Sequence, residues 1–326
     1  MAWLLIPNNR GWQYDNAPAD PGANSPYRPL WEKQTAGVRT NSDGTQVYTK
    51  VRKYGSTVDT AGEIARTFWN VKGNDQKFQM EVLIPSGGAT FTIPCQDVGV
   101  FDATIDWGDG TTTTTTTYNG AGLAHAYAAG TYKIMISGIF PNIHFNNAGD
   151  KLRVTKVLNL GHVGWTSFLS AFYGCVNLTQ FSAGSSDTSN VTTFAAALAG
   201  CTGFTTGHDV GFDTSSAQRF DNFFLSSTFT DLDGIQNWDI TSLTTSPANN
   251  LKAFMTNGAK LSTSTYDELL VNWEGQDPTN TNNMGNVKFG LSTFTSGSAA
   301  ETAKGVLTTS VAEGGYGWVI TDGGAV

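Results

Sequence analysis

Apolar and polar positions alternate in one part of this chain, recur at a long fixed interval in another, and follow neither pattern near the start. Between residues 78 and 145 the runs "FQMEVLI", "ATFTIPC", "FDATIDW" and "YKIMISGIF" alternate or are rich in β-branched residues, with glycine-rich turns between them. That pattern predicts strands of a small β-sandwich. Residues 1–77 show no helical period, and "NAPADPGANSPYRP" is too rich in proline and glycine to hold a helix. The segment is nevertheless aromatic, with Trp3, Trp12, Tyr27, Trp31 and Trp69 among others. A free linker lacks such side chains. Two readings stay open: a small irregular domain, or an arm that docks its aromatics on a neighbouring subunit.

Residues 146–260 repeat. Phe168-Leu169-Ser170-Ala171-Phe172-Tyr173-Gly174-Cys175 returns as Phe194 to Cys201 and again as Phe220 to Ser227, each copy 26 residues on (194 − 168 = 26; 220 − 194 = 26). Asp187-Thr188-Ser189-Asn190, Asp213-Thr214-Ser215-Ser216 and Asp239-Ile240-Thr241-Ser242 keep the same step. A looser fourth copy, Asn250 to Phe254, is displaced by a four-residue insertion. Units of this length cannot bury an apolar face alone, so they are expected to stack with equivalent positions in columns. Phe168, Phe194 and Phe220 form one expected column, and Ala171, Ala197 and Phe223 another. Each Phe-rich octet is expected to be a turn or two of helix, and each Asp-Thr-Ser segment a cap or turn. Cys175 and Cys201 are equivalent, one repeat apart: buried thiols or a disulfide. Residues 261–326 break the period and are expected to cap the stack. "STSTYDELLVNWEG" reads as a helix burying Leu269, Leu270 and Trp273, "SAAETAKGVLTTSV" as a second helix, and "GYGWVITDGG" as a last strand and turn.

Composition narrows the function classes. Of 326 residues only 14% are charged, and 37 are glycine. A surface of hydroxyls and amides suits secreted, cell-surface and virion proteins. The net charge of −8 argues against a nucleic-acid partner. Three cysteines, Cys95, Cys175 and Cys201, make no disulfide framework and no C-x-x-C zinc site. The start, "MAWLLIPNNR", has neither a basic region nor a cleavage site, and no apolar run is long enough to span a membrane. No cofactor is expected. Four histidines, His125, His144, His162 and His208, show no metal-binding spacing. Asp231, Asp233, Asp239, Asp267 and Glu268 are the acids from which a glycan-cleaving pair would have to come.

The stretch "IDWGDGTTTTTTT" carries Asp106, Gly108, Asp109 and Gly110. It does not follow the EF-hand order of ligands. A turn between strands is the expected reading, since the glycines suit positive φ and the threonines suit the next strand. An ordered ion and a catalytic role are the alternatives. "IDWGDGT" followed by "HAYAAGTYKIMISG" resembles the polycystic-kidney-disease (PKD) type of immunoglobulin-like domain. That resemblance implies a non-enzymatic β-sandwich over roughly residues 78–145, with His125 and Tyr127 packed near the turn. "FLSAFYGCVNL" and "SSDTSNVTTF" resemble BspA-type leucine-rich repeats, although the family's methionines are Phe or Ala here and the third copy lacks Gly-Cys.

The expected fold is therefore multidomain and mainly β with α/β repeats. An irregular N-terminal anchor (1–77) precedes an Ig-like β-sandwich (78–145), a leucine-rich-repeat solenoid (146–260) and a C-terminal cap (261–326). This order of modules is similar to arrangements in tailed-phage virion proteins. It implies a structural protein of the virion that docks through residues 1–77 on other virion proteins and displays its repeats toward a host-surface glycan or protein, as a homo-oligomer in the particle. A capsid decoration or head fibre, an exported bacterial adhesin and a glycan-cleaving tail enzyme are the rivals.

Overall fold

A computed structural model describes residues 76–184, 186–204, 208–243, 251–256, 258–276, 284 and 286–326, and within residues 1–75 the backbone of short strands. The chain divides into two compact units, Met1–Gln76 and Lys77–Val326. In the first, β1 (Trp3–Leu5) pairs antiparallel with β2 (Trp12–Tyr14), and β3 (Val38–Thr40) with β4 (Gln46–Tyr48). Of the expected docking residues, Trp3 and Trp12 lie on these paired backbones. Tyr27, Trp31 and Trp69 lie outside the described residues.

The second unit is mainly β. Its strands are β5 (Phe78–Ile84), β6 (Ala89–Thr92), β7 (Asp102–Asp106), β8 (Thr112–Thr115), β9 (Ala124–Tyr127), β10 (Gly130–Ile139), β11 (Val154–Asn159) and β12 (Gln180–Phe181). The six-stranded sheet has the order β12-β11-β5-β10-β7-β8, and β6 pairs with β9 in a second, two-stranded sheet. Period-two alternation places Met80, Val82 and Ile84 of β5, and Ala103 and Ile105 of β7, in the core, while Leu83, Asp102 and Thr104 face out.

The expected boundary at 145/146 falls inside this sheet. β11 pairs antiparallel with β5, and β12 lies parallel to β11. One buried cluster runs from Phe78 to Trp318. The buried positions of β11 are Val154, Val157 and Asn159, and they pair with Val82, Met80 and Gln79 of β5, far back in the sequence.

From Phe145 onward the backbone bonds from each unit to the next. The N–H groups of Phe145 and Asn147 donate to the carbonyls of Ala171 and Tyr173. Those of Phe168, Ser170, Phe172 and Gly174 donate to Thr193, Ala195, Ala197 and Ala199 at 2.8–2.9 Å. Those of Phe194, Ala196, Leu198 and Gly200 donate to Arg219, Asp221, Phe223 and Leu225 at 2.7–3.0 Å. The intervening residues bond within their own unit: Ala171 to Phe168, Tyr173 to Ser170 and Cys175 to Phe172. These octets are successive turns, not the helical turns expected. The reason is a left-handed residue in each copy: Ser170 (φ 49°), Ala196 (φ 53°), Asn222 (φ 58°) and Ala253 (φ 50°). A left-handed residue aims alternate amides at the neighbouring unit, and an α-helix cannot contain one without strain.

The final segment does not simply break the stack. Ala253 and Met255 donate to the carbonyls of Asn286 and Lys288 in β15 (Asn286–Lys288), and Phe289 donates to Thr321 of β16 (Val319–Thr321). β15 and β16 pair in parallel. The interval has lengthened because each rung now carries a helix, α1 (Thr263–Glu274) and α2 (Ala299–Thr308). Ser262 Oγ caps α1 by accepting from Thr265 N–H, and Ser298 Oγ caps α2 from Ala300 and Glu301. Tyr266, Leu269, Leu270 and Trp273 form the buried face of α1. A half-buried staple joins these pieces: Asp322 accepts from Tyr266 Oη at 2.7 Å and pairs with Lys304 Nζ at 2.8 Å.

Candidate functional site

The Asp-Gly stretch is the turn from β7 to β8. Asp106 Oδ1 accepts from Gly108 N–H at 3.0 Å, and Asp109 Oδ1 from Thr111 N–H at 3.0 Å and Thr111 Oγ at 2.6 Å. Gly108 (φ 78°) and Gly110 (φ 91°) take the left-handed positions, and a Cβ on Gly108 would collide with the Lys133 carbonyl. His125 Nε2 lies 2.7 Å from Asp109 Oδ2 and its ring stacks on Trp107 at 5.1 Å. Tyr127 Oη donates to the Trp107 carbonyl at 2.7 Å, and Trp107 Nε1 to Thr113 Oγ at 2.9 Å. The bond from Thr111, with His125 beside it, holds the Asp109 carboxyl down at about 2. Both Asp109 oxygens are thus used to close the turn. Burial pushes the Tyr127 hydroxyl well up, so it remains a donor.

The expected ring column is present. Phe168 and Phe194 lie 5.5 Å apart and nearly parallel at 3°, and Phe194 and Phe220 lie 5.2 Å apart at 16°. Ala171, Ala197 and Phe223 are buried beside them. Cys175 and Cys201 are free, buried thiols with no disulfide between them. Burial pushes Cys201 up to about 12 and Cys175 well up, and Cys201 Sγ donates to the Phe172 carbonyl at 3.3 Å. Neither is a reactive thiolate at neutral pH.

Of the acids that sequence offered for catalysis, Asp231, Asp239 and Asp267 serve the backbone. Asp187, Asp213 and Asp239 each accept from the N–H and hydroxyl of the residue two positions on, Ser189, Ser215 and Thr241. Asp231 accepts from Leu232 and Ser262 N–H, and Asp267 from the N–H and hydroxyl of Thr295. Asp233 lies on β14 (Leu232–Asp233), and Glu268 on the exposed side of α1. The hydroxyls of Thr188 and Thr214 bridge units, each donating to the carbonyl and accepting from the N–H of the next unit's aspartate. Among the described residues no group of three or more His, Cys, Asp or Glu is placed to hold a metal ion. No described helix is long and apolar enough to cross a membrane.

Comparison with known proteins finds no match. This holds for family models, curated proteins and solved structures alike. What the chain does is therefore argued from its own geometry.

His208, read from sequence only as one of four histidines without metal-binding spacing, is deeply buried. His208 sits on β13 (His208–Asp209) between β12 and β14, 1% exposed, its ring 3.5 Å from that of Phe204. A lone histidine with no partner at metal spacing gave no signal.

Proposed function

We propose that this chain is a non-enzymatic structural protein of a tailed-phage virion. Its N-terminal unit docks on other virion proteins, and its larger unit carries a displayed repeat domain for host-surface attachment. The observation that carries this reading is the division of labour in the fold. An aromatic-rich N-terminal unit precedes one body whose core is continuous and whose Asp109, Asp187, Asp213 and Asp239 carboxylates are committed to turns. Such a body holds a surface in place rather than transforming a substrate. Within this reading residues 78–145 are a PKD-like sandwich, and the stacked units from about 146 are a solenoid of the BspA kind. What supports the solenoid is the ladder of inter-unit bonds and the coaxial rings of Phe168, Phe194 and Phe220. Repeat stacks present extended faces, which suits adhesion.

Deletion of residues 1–76 tests the docking half. The shortened chain should fold and be missing from particles. A shortened chain that still enters particles at the normal copy number would remove the docking role.

A further inference from the structure

One rung of the inter-unit ladder is made by an imidazole. In the parallel array the row Val157, Phe181, His208, Leu232 runs through the core, set by the pairings of β11 with β12, Ser182 with Asp209, and β13 with β14. Three of the four positions are apolar, and the fourth is an imidazole. Phe181 N–H, which points from its unit toward the next, donates to His208 Nδ1 at 3.3 Å. The adjacent amide, Ala183 N–H, meets a backbone carbonyl, that of Asp209, at 2.9 Å. His208 Nδ1 thus stands in for a ladder carbonyl. Because Nδ1 accepts, the neutral ring carries its proton on Nε2, and that buried atom has no hydrogen-bond partner among the described residues.

We propose that His208 is a proton-operated latch between the second and third stacked units: neutral, it closes the ladder, and protonated, it opens it. A proton on Nδ1 sets N–H against the Phe181 N–H and removes the only acceptor that amide has in the row. It also places a charge against Phe204, Phe181 and Leu232. Among the described residues no charged group faces the ring to compensate. Asp209, on the same strand, turns outward to Ser182 Oγ and the N–H groups of Gly184 and Gly211, while Gln180 of β12 and Asp233 of β14 face solvent.

Burial alone holds the folded imidazole down at about 4, against an ordinary value of about 6.5. Between those values the open state binds more protons than the closed state. Closure is therefore intact above about 6.5 and weakens as pH falls toward 4. From pH 7.5 to pH 5 the opening equilibrium should rise about 30-fold.

Hydrogen exchange of the full chain, corrected for intrinsic rates, tests this at peptides covering 179–184 and 208–211. Protection there should fall about 30-fold between pH 7.5 and 5. His208→Asn, which keeps an acceptor for Phe181 N–H but does not titrate, should abolish the change. His162→Asn, at the other buried histidine, should leave it. Equal acid sensitivity in wild type and His208→Asn would overturn the proposal. If His208→Asn does not fold, the proton NMR titration of the wild-type imidazole decides: a midpoint below 5 supports the latch, and one at 6 or above overturns it.

Discussion

Truncating Phe194 to alanine should weaken the larger unit far from the site of change. Phe194 is fully buried, with Phe168 at 5.5 Å on one side, Phe220 at 5.2 Å on the other, and Phe212 at 5.1 Å. Removing a core phenylalanine costs about 3–5 kcal/mol, more where the surroundings cannot collapse. Here collapse is resisted from both sides. Four backbone bonds tie Phe194, Ala196, Leu198 and Gly200 to the next unit, and four more tie the previous unit to this one. That range already contains the lost ring pairs, each worth about 0.5–1.5 kcal/mol beyond area, and three of them place this site in its upper part. We expect about 4–5 kcal/mol, a large part of a stability of about 5–15 kcal/mol. Native-state hydrogen exchange reads this directly. Since one core runs from Phe78 to Trp318, the slowest amides of β5 and β15 should lose protection together with those around Phe194, by about a thousandfold. A loss confined to residues 168–224, or one below tenfold, would refute the idea of a single cooperative body.

The left-handed alanine of the second copy should be improvable. Ala196→Gly should relieve about 1–2 kcal/mol of strain at φ 53° against about 0.4–1 lost to a freer unfolded chain, a net gain of about 0.5–1 kcal/mol in urea unfolding. Gly174→Ala should do the reverse, since φ is 80° and a Cβ there would strike the Asn147 side chain. The thiols of Cys175 and Cys201 should be silent to a thiol reagent at pH 8 and react fully once urea unfolds the chain; rapid reaction in the native state would contradict their burial. The Asp109 carboxyl should titrate by NMR near 2, so that its contribution is complete above about 4 and lost as pH falls through 2, and Thr111→Val should raise that midpoint. An unchanged midpoint in Thr111→Val would show that the turn is not held as described.

Much of the stack was legible in the sequence because its markers are side chains. Phe168, Phe194 and Phe220, and Asp187, Asp213 and Asp239, keep a step of 26, and the structure puts the rings in one column and the carboxylates on equivalent turns. The left-handed positions were hidden: they are filled by Ser170, Ala196, Asn222 and Ala253, and only asparagine among these favours that conformation. The continuation of the ladder into β15 and β16 was hidden by length, since α1 and α2 stretch the interval and the bonds are made by backbone. The union of β11 with β5 is a long-range pairing that local alternation does not specify. His208 lies 27 residues after Phe181 (208 − 181 = 27), one position off the period, so alignment of the copies does not bring them together. The Asp-Gly turn was read from its glycines and threonines, and the place of His125 and Tyr127 beside it, sixteen or more residues on, came from the resemblance and not from local pattern.

The proposed virion role is tested most directly by electron cryo-microscopy of purified tailed-phage particles, searched for this chain. The account predicts density for residues 1–76 against other virion proteins, with the body from Lys77 to Val326 projecting outward. Particles that contain no copy of the chain would contradict it.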